Sequence, residues 1–130
     1  MSQPAAKQGD QITATDTHLI QPPPPSSPQM VLGHVFNGII NGGLSSNVRI
    51  MGMPAATVGS TADNMPPHIP MGGSFVKPPT NKGTIMMGSM SVRINQQQAA
   101  RNGDTAMTCN DPVDAPVGTV VAVGTVFIGE

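Results

Sequence analysis

The sequence predicts an all-β protein with little or no helix, and three observations carry that expectation. Glycine (15 residues) and proline (14) interrupt nearly every stretch of the 130-residue chain long enough to form a helix. Strong helix formers are scarce, the only glutamate being Glu130. An Ala-Ala-x-x-Gly element recurs three times, as Pro4-Ala5-Ala6-Lys7-Gln8-Gly9-Asp10, Pro54-Ala55-Ala56-Thr57-Val58-Gly59-Ser60 and Gln98-Ala99-Ala100-Arg101-Asn102-Gly103-Asp104. The chain reads as a single domain, 1–130, with repeat elements near 4–18, 48–68 and 92–109 and C-terminal strands in 117–128.

The first copy opens the chain and leads toward His18. A proline-rich stretch follows, from Gln21 to Gln29 around Pro22-Pro23-Pro24-Pro25. It reads as an extended, exposed loop of polyproline character.

The second and third copies match over a longer span. Windows 48–62 and 92–106 are identical at eight of fifteen positions, including Val48-Arg49-Ile50 against Val92-Arg93-Ile94. Val-Arg-Ile alternates as a half-buried strand does. The turn Met51-Gly52-Met53 or Asn95-Gln96-Gln97 follows, and a return strand carries the alanine pair to a glycine that tolerates positive φ or a bulge. Alanine lets neighbouring strands approach closely. No copy buries its apolar side alone, so three copies suit a pseudo-threefold body in which each supplies one face.

Between these copies, 64–80 is rich in proline and glycine and holds His68 in Pro66-Pro67-His68-Ile69-Pro70, where the prolines stiffen the backbone. Gly42-Gly43 and Gly72-Gly73 lack the lysine and hydroxyl context of a phosphate loop and read as turns. The most apolar stretch runs from Val117 to Ile128 and reads as one or two strands beneath the repeats.

Composition narrows the function. Net charge is −1, the basic residues are scattered, and the chain has three phenylalanines with no tryptophan or tyrosine. That argues against a nucleic-acid partner, which would call for a basic patch and stacking aromatics. No segment has the roughly 20 apolar residues of a transmembrane helix. The N-terminus lacks the regions of a signal peptide, which implies synthesis in the cytoplasm. With so few large side chains, a metal becomes a plausible source of stability.

The chain holds three histidines, His18, His34 and His68, and one cysteine, Cys109. A lone cysteine is a ligand, a nucleophile or a small buried apolar residue. Three imidazoles and a thiolate form a complete tetrahedral donor set for structural zinc. Mixed nitrogen and sulfur donors disfavour magnesium and calcium, while iron and copper stay open. His18 and His68 each lie nine residues beyond a repeat glycine, and Cys109 six beyond the third. Equivalent copies would bring these three together near the axis, with His34 reaching in from the first insertion loop. Asp16 and Asp111 read as turn residues, with hydrogen-bond support of a ligand as the alternative.

Two other readings use the same residues. A zinc hydrolase would keep one position open for water, using the three histidines and leaving Cys109 over; no glutamate supports it. A soluble metal-binding protein would release its ion readily. Met51, Met53, Met86, Met87 and Met90 read as adaptable packing rather than copper ligands.

With the alanine pair and following glycine in each copy, and with the three-histidine, one-cysteine set, the chain resembles a PAAR-repeat protein. The motif stands here as Pro4-Ala5-Ala6-Lys7, Pro54-Ala55-Ala56-Thr57 and Gln98-Ala99-Ala100-Arg101, none of them the full Pro-Ala-Ala-Arg. The resemblance implies a short-stranded β cone whose base sits on a trimeric VgrG-like or phage-type spike, one tip per trimer. It also implies a structural Zn²⁺ at the point, held by His18, His34, His68 and Cys109, and no enzymatic activity. Such tips sharpen type VI secretion systems and other contractile injection machines that pierce a target membrane. Effector proteins are further implied partners, and export on the spike follows cytoplasmic synthesis.

Overall fold

The computed structural model describes residues 2–23, 28–70 and 72–129; Pro24 and Pro25 of the proline-rich loop lie outside them. The described residues form strands and turns with no helix. In chain order the strands are β1 (Gln3–Pro4), β2 (Gln11–Gln21), β3 (Met30–Gly42), β4 (Arg49–Ile50), β5 (Met53–Pro54), β6 (Thr61–Asn64), β7 (Ser74–Phe75), β8 (Lys82–Ile85), β9 (Arg93–Ile94), β10 (Gln97–Gln98), β11 (Thr105–Thr108), β12 (Ala115–Val121) and β13 (Phe127–Ile128). All-β architecture is therefore as the glycine, proline and strand patterns predict.

The hairpins of the second and third copies form as β4–β5 and β9–β10. Their turns are tighter than the sequence suggests. Met51 and Gly52 (φ 51° and 83°) and Asn95 and Gln96 (φ 52° and 72°) are the two central residues of each, while Met53 and Gln97 already belong to the return strands. Positive φ at both central positions gives a turn whose twist matches its strands. The first copy has no Val-Arg-Ile upstream. Its partner comes from the other end of the chain, where β13 pairs with β1. The Ala5 N–H donates to Val126 O (2.8 Å), just as Ala55 donates to Val48 (3.0 Å) and Ala99 to Val92 (3.0 Å).

The three alanine pairs are joined in a closed ring. Ala6 N–H donates to Ala100 O (2.9 Å), Ala100 to Ala56 (3.1 Å), and Ala56 back to Ala6 (3.0 Å). A second ring runs outside it: Gln8 to Pro54, Val58 to Gln98 and Asn102 to Pro4, each at 2.9 Å. The alanines are 0–2 % exposed, so a methyl group is all that these close backbones accommodate.

The variable fourth motif position has a local explanation. Lys7 N–H donates to Asp10 Oδ2 (3.0 Å), Thr57 N–H to Ser60 Oγ (2.9 Å) and Arg101 N–H to Asp104 Oδ2 (2.7 Å). The side chains follow suit, with Lys7–Asp10 and Arg101–Asp104 ion pairs replaced in the second copy by two hydroxyl residues. Between each pair sits the repeat glycine, with φ of 93°, 97° or 89°, a conformation that glycine adopts without strain.

Beyond the ring, six strands close on themselves in the order β12-β11-β8-β6-β3-β2, with β12 pairing back to β2. Their interior holds Ile12, Phe36, Ile40, Ile85, Ala106 and Val120, all 0 % exposed. Phe36 is the largest of these. Gly38 and Gly83 make room for it, since a Cβ on Gly38 would lie 2.7 Å from the ring and one on Gly83 3.2 Å. Closure is brief: β12 pairs with β2 only over Gln11–Thr13. The β2–β3 ribbon continues alone to Ile20 and Met30, with β7 added at its far edge.

The five methionines read as packing residues do not fill the core. Met51, Met53, Met86, Met87 and Met90 are 37–78 % exposed, around the hairpins and the segment leading to them.

Candidate metal centre

The far part of the β2–β3 ribbon carries the polar residues. Alternation along β2 points Ile12, Asp16, His18 and Ile20 inward, so two polar residues occupy positions that its apolar neighbours define as interior. His34 lies on β3 directly across from Asp16. His68 comes from the proline-rich segment after β6, and Cys109 directly follows β11. All are deeply buried except at the backbone of His68, whose side chain is 2 % exposed.

One ligand atom each from Asp16, His18, His68 and Cys109 lies within 4.8 Å of the others. His68 Nε2 is 2.7 Å from Asp16 Oδ2, Cys109 Sγ 3.4 Å from that oxygen and 3.8 Å from His18 Nε2. His34 stands beside this group, its ring centroid 5.5 Å from those of His18 and His68. The three imidazoles thus form a triangle, and Phe75 covers two of them at 5.6 Å from His18 and 5.5 Å from His34.

Each of these side chains is held from outside. His34 Nδ1 lies 3.1 Å from the Leu32 carbonyl, which only accepts; the proton therefore sits on Nδ1 and leaves a lone pair on Nε2. That Nε2 is buried and has no hydrogen-bond partner. The His68 N–H donates to Asn81 Oδ1 (2.8 Å), and its Nδ1 is 3.2 Å from Asn64 Nδ2. The strap after β11 is fastened to β2: Thr17 N–H donates to Asn110 Oδ1 (2.7 Å), Leu19 N–H to Asp111 Oδ2 (2.8 Å) and Asp111 N–H to Thr17 O (2.9 Å). Asp111 Oδ2 also lies 3.5 Å from His18 Nδ1, the side of that ring away from Cys109.

Burial sets the protonation states. It lowers the pKa of His18, aided by His68 and His34 and opposed by Asp111 and Asp16, so the neutral imidazole is favoured. Burial and the nearby Asp16 carboxylate push the Cys109 thiol up to about 11. Without a metal, Cys109 is a thiol whose S–H points to Asp16.

The donors fit zinc. Soft sulfur and imidazole nitrogen converge in a buried site, and a buried imidazole lone pair without a donor is costly unless a cation takes it. A groove of about 580 Å³, bordered by His34, Val35, Met65, Pro67, His68 and Ile69, reaches two of the imidazoles from solvent.

Two expectations need correction. His34 does not reach in from a loop: it is part of a thirteen-residue strand, because the chain after the prolines alternates and pairs with β2 along its length. Asp16 is no turn residue: it lies inside β2, is 0 % exposed, and accepts from Thr108 Oγ1 and Asn110 Nδ2 as well as facing His68 and Cys109. The inward alternation of β2 was the available signal for it.

A comparison with protein-family models matches residues 26–115, more than half of the chain, to the PAAR motif. The match spans the second and third copies with His34, His68 and Cys109; the first copy, Asp16 and His18 precede it. No curated protein matches the chain.

Proposed function

The chain belongs to the PAAR-motif family, and from that premise we propose that it is the metal-stabilised tip that caps a trimeric VgrG-like or phage-type spike of a contractile injection machine, as in type VI secretion. The observation that carries this reading is the division of the molecule into a closed ring of three repeats at one end and a buried cluster of imidazole and thiol donors beyond it. His18 lies seven residues along β2 from Gln11, about 23 Å at roughly 3.3 Å per residue.

In this reading the ring and its hairpins are the base of a pseudo-threefold cone, and the narrowing β2–β3 ribbon is its point. One tip caps one trimer because each repeat can face one spike subunit. The exposed Met51, Met53 and Phe127 give the hairpin edges an apolar surface suited to docking. The donor end leads into the target membrane. No helix of the described residues is long and apolar enough to cross a membrane. In this reading the protein is made in the cytoplasm and leaves on the spike. Effector proteins would ride on the same assembly.

His18, His34, His68 and Cys109 hold the metal, with zinc the ion their chemistry favours. When bound, zinc ties four segments of chain that few apolar contacts hold. A closed set of four protein donors leaves no position for a reactive water, so the reading includes no catalysis. The protein mixed with its cognate spike should co-elute on gel filtration as one chain per trimer, and failure to co-elute would overturn the capping role. Bound metal with an exchangeable water ligand would favour the hydrolase instead.

A further inference from the structure

We propose that Asp16 is the charge-compensating residue of the metal centre, a positioning carboxylate that makes the site selective for a divalent ion. The inference deepens the metal reading above and rests on it.

Asp16 is wholly buried. Among the described residues its partners are Thr108 Oγ1, Asn110 Nδ2 (3.4 Å), His68 Nε2 (2.7 Å) and Cys109 Sγ (3.4 Å). None is a permanent cation. His68 meets Asp16 through Nε2, and its Nδ1 lies 3.2 Å from Asn64 Nδ2, whose amide is oriented by its Oδ1 accepting the Asn37 N–H (2.8 Å). A wholly buried carboxylate without a lysine or arginine partner is costly, and its natural partner is a cation bound beside it.

The donor set has the opposite imbalance. A divalent ion held by three neutral imidazoles and one thiolate keeps one surplus positive charge in a buried site. Asp16 removes that surplus at the distance of the ligand atoms themselves. Asp111 is the other carboxylate nearby. Its side chain is also buried (4 % exposed), but it lies 3.5 Å from the outer nitrogen of His18, accepts the Leu19 N–H and stands outside the group of converging ligand atoms. Asp16 also grips Thr108 and Asn110 on either side of Cys109, which sets the sulfur's position.

Charge compensation makes a prediction that a purely structural role does not. Cadmium and silver are both soft closed-shell ions, but with monovalent silver the same donors carry no surplus charge. The full-length protein is stripped of metal, its fold is checked by circular dichroism, and Cd²⁺ and Ag⁺ affinities are measured by competition with a chelator. Asp16→Asn should weaken Cd²⁺ binding by about 10–100-fold and leave Ag⁺ binding unchanged, and Asp16→Glu should recover part of the Cd²⁺ affinity. Asp16→Ser serves as a second uncharged variant, judged by the same difference between the ions. Equal losses for both ions, no loss for either, or collapse of both uncharged variants without metal would overturn the role of Asp16. Wild type that binds neither ion would instead overturn the metal reading itself.

Discussion

The two ends of this protein are built from opposite materials. At the repeat end, three alanine pairs pass backbone hydrogen bonds around a closed ring, and what holds them is main chain plus methyl groups. At the ribbon end, the strands have lost most of their neighbours, and the interior is filled by imidazoles, a thiol and a buried carboxylate. Phe36 stands between the two regimes, packed among glycines below and 6.1 Å from the His68 ring above. Backbone pairing is insensitive to side-chain charge and tolerates Lys, Thr or Arg at the fourth motif position. A cluster of polar donors has no such tolerance, because each member left unpaired in the interior carries a desolvation cost. A small chain can thus stabilise its repeat end with repetition and its ribbon end with chemistry.

That contrast can be broken at its boundary. Phe36→Ala should cost about 3–5 kcal/mol by denaturant unfolding, with or without a chelator present. A cost that vanished on metal removal would mean that Phe36 serves only the polar end.

In metal-free protein, the raised Cys109 pKa should make stability depend on pH. The folded state keeps the thiol protonated up to about 11, whereas the unfolded thiol ionises from 9.0. Its stabilising contribution is present below pH 9.0 and is lost as pH rises toward 11. Metal-loaded protein, whose sulfur is already a thiolate, should lack this decline. Unfolding midpoints of both forms across that window provide the check.

At the repeat end, Ala56→Val adds two methyl groups where the ring is closed. It should destabilise by about 1–3 kcal/mol, equally in the metal-free and loaded forms. The smallest expected effect belongs to Phe75. Removing its ring contacts on His18 and His34 with Phe75→Ala should weaken metal retention by about 0.5–1.5 kcal/mol, read as faster transfer of metal to a chelator. A change in metal-free stability without faster transfer would make Phe75 a packing residue only.

Much of the repeat end was legible in the sequence, because local rules govern it. Val-Arg-Ile alternation, a tight turn and a glycine at positive φ each leave a mark within a few residues. The strand pairing of the first copy was not legible, since β1 finds its partner β13 near the other end of the chain. At the other end residue chemistry pointed to His18, His68 and Cys109, and the structure brings them together. Asp16 was obscured because an aspartate between threonines carries the local mark of a turn, and only the length of β2 reveals it as an interior position. The strand containing His34 was hidden for a related reason: the glycines at 33 and 38 look like breaks, yet both lie within a ribbon paired throughout.

The central claim is that a metal ties the ribbon end together. Its most direct test is the metal content of the purified protein, followed by thermal unfolding before and after chelation in wild type and His68→Ala. One zinc per wild-type chain is expected, with a fall of more than about 10 °C in the unfolding midpoint when it is removed. The His68→Ala protein should start near the chelated wild type and respond little to the chelator. Wild-type protein without metal, and with the same midpoint as His68→Ala, would contradict the account.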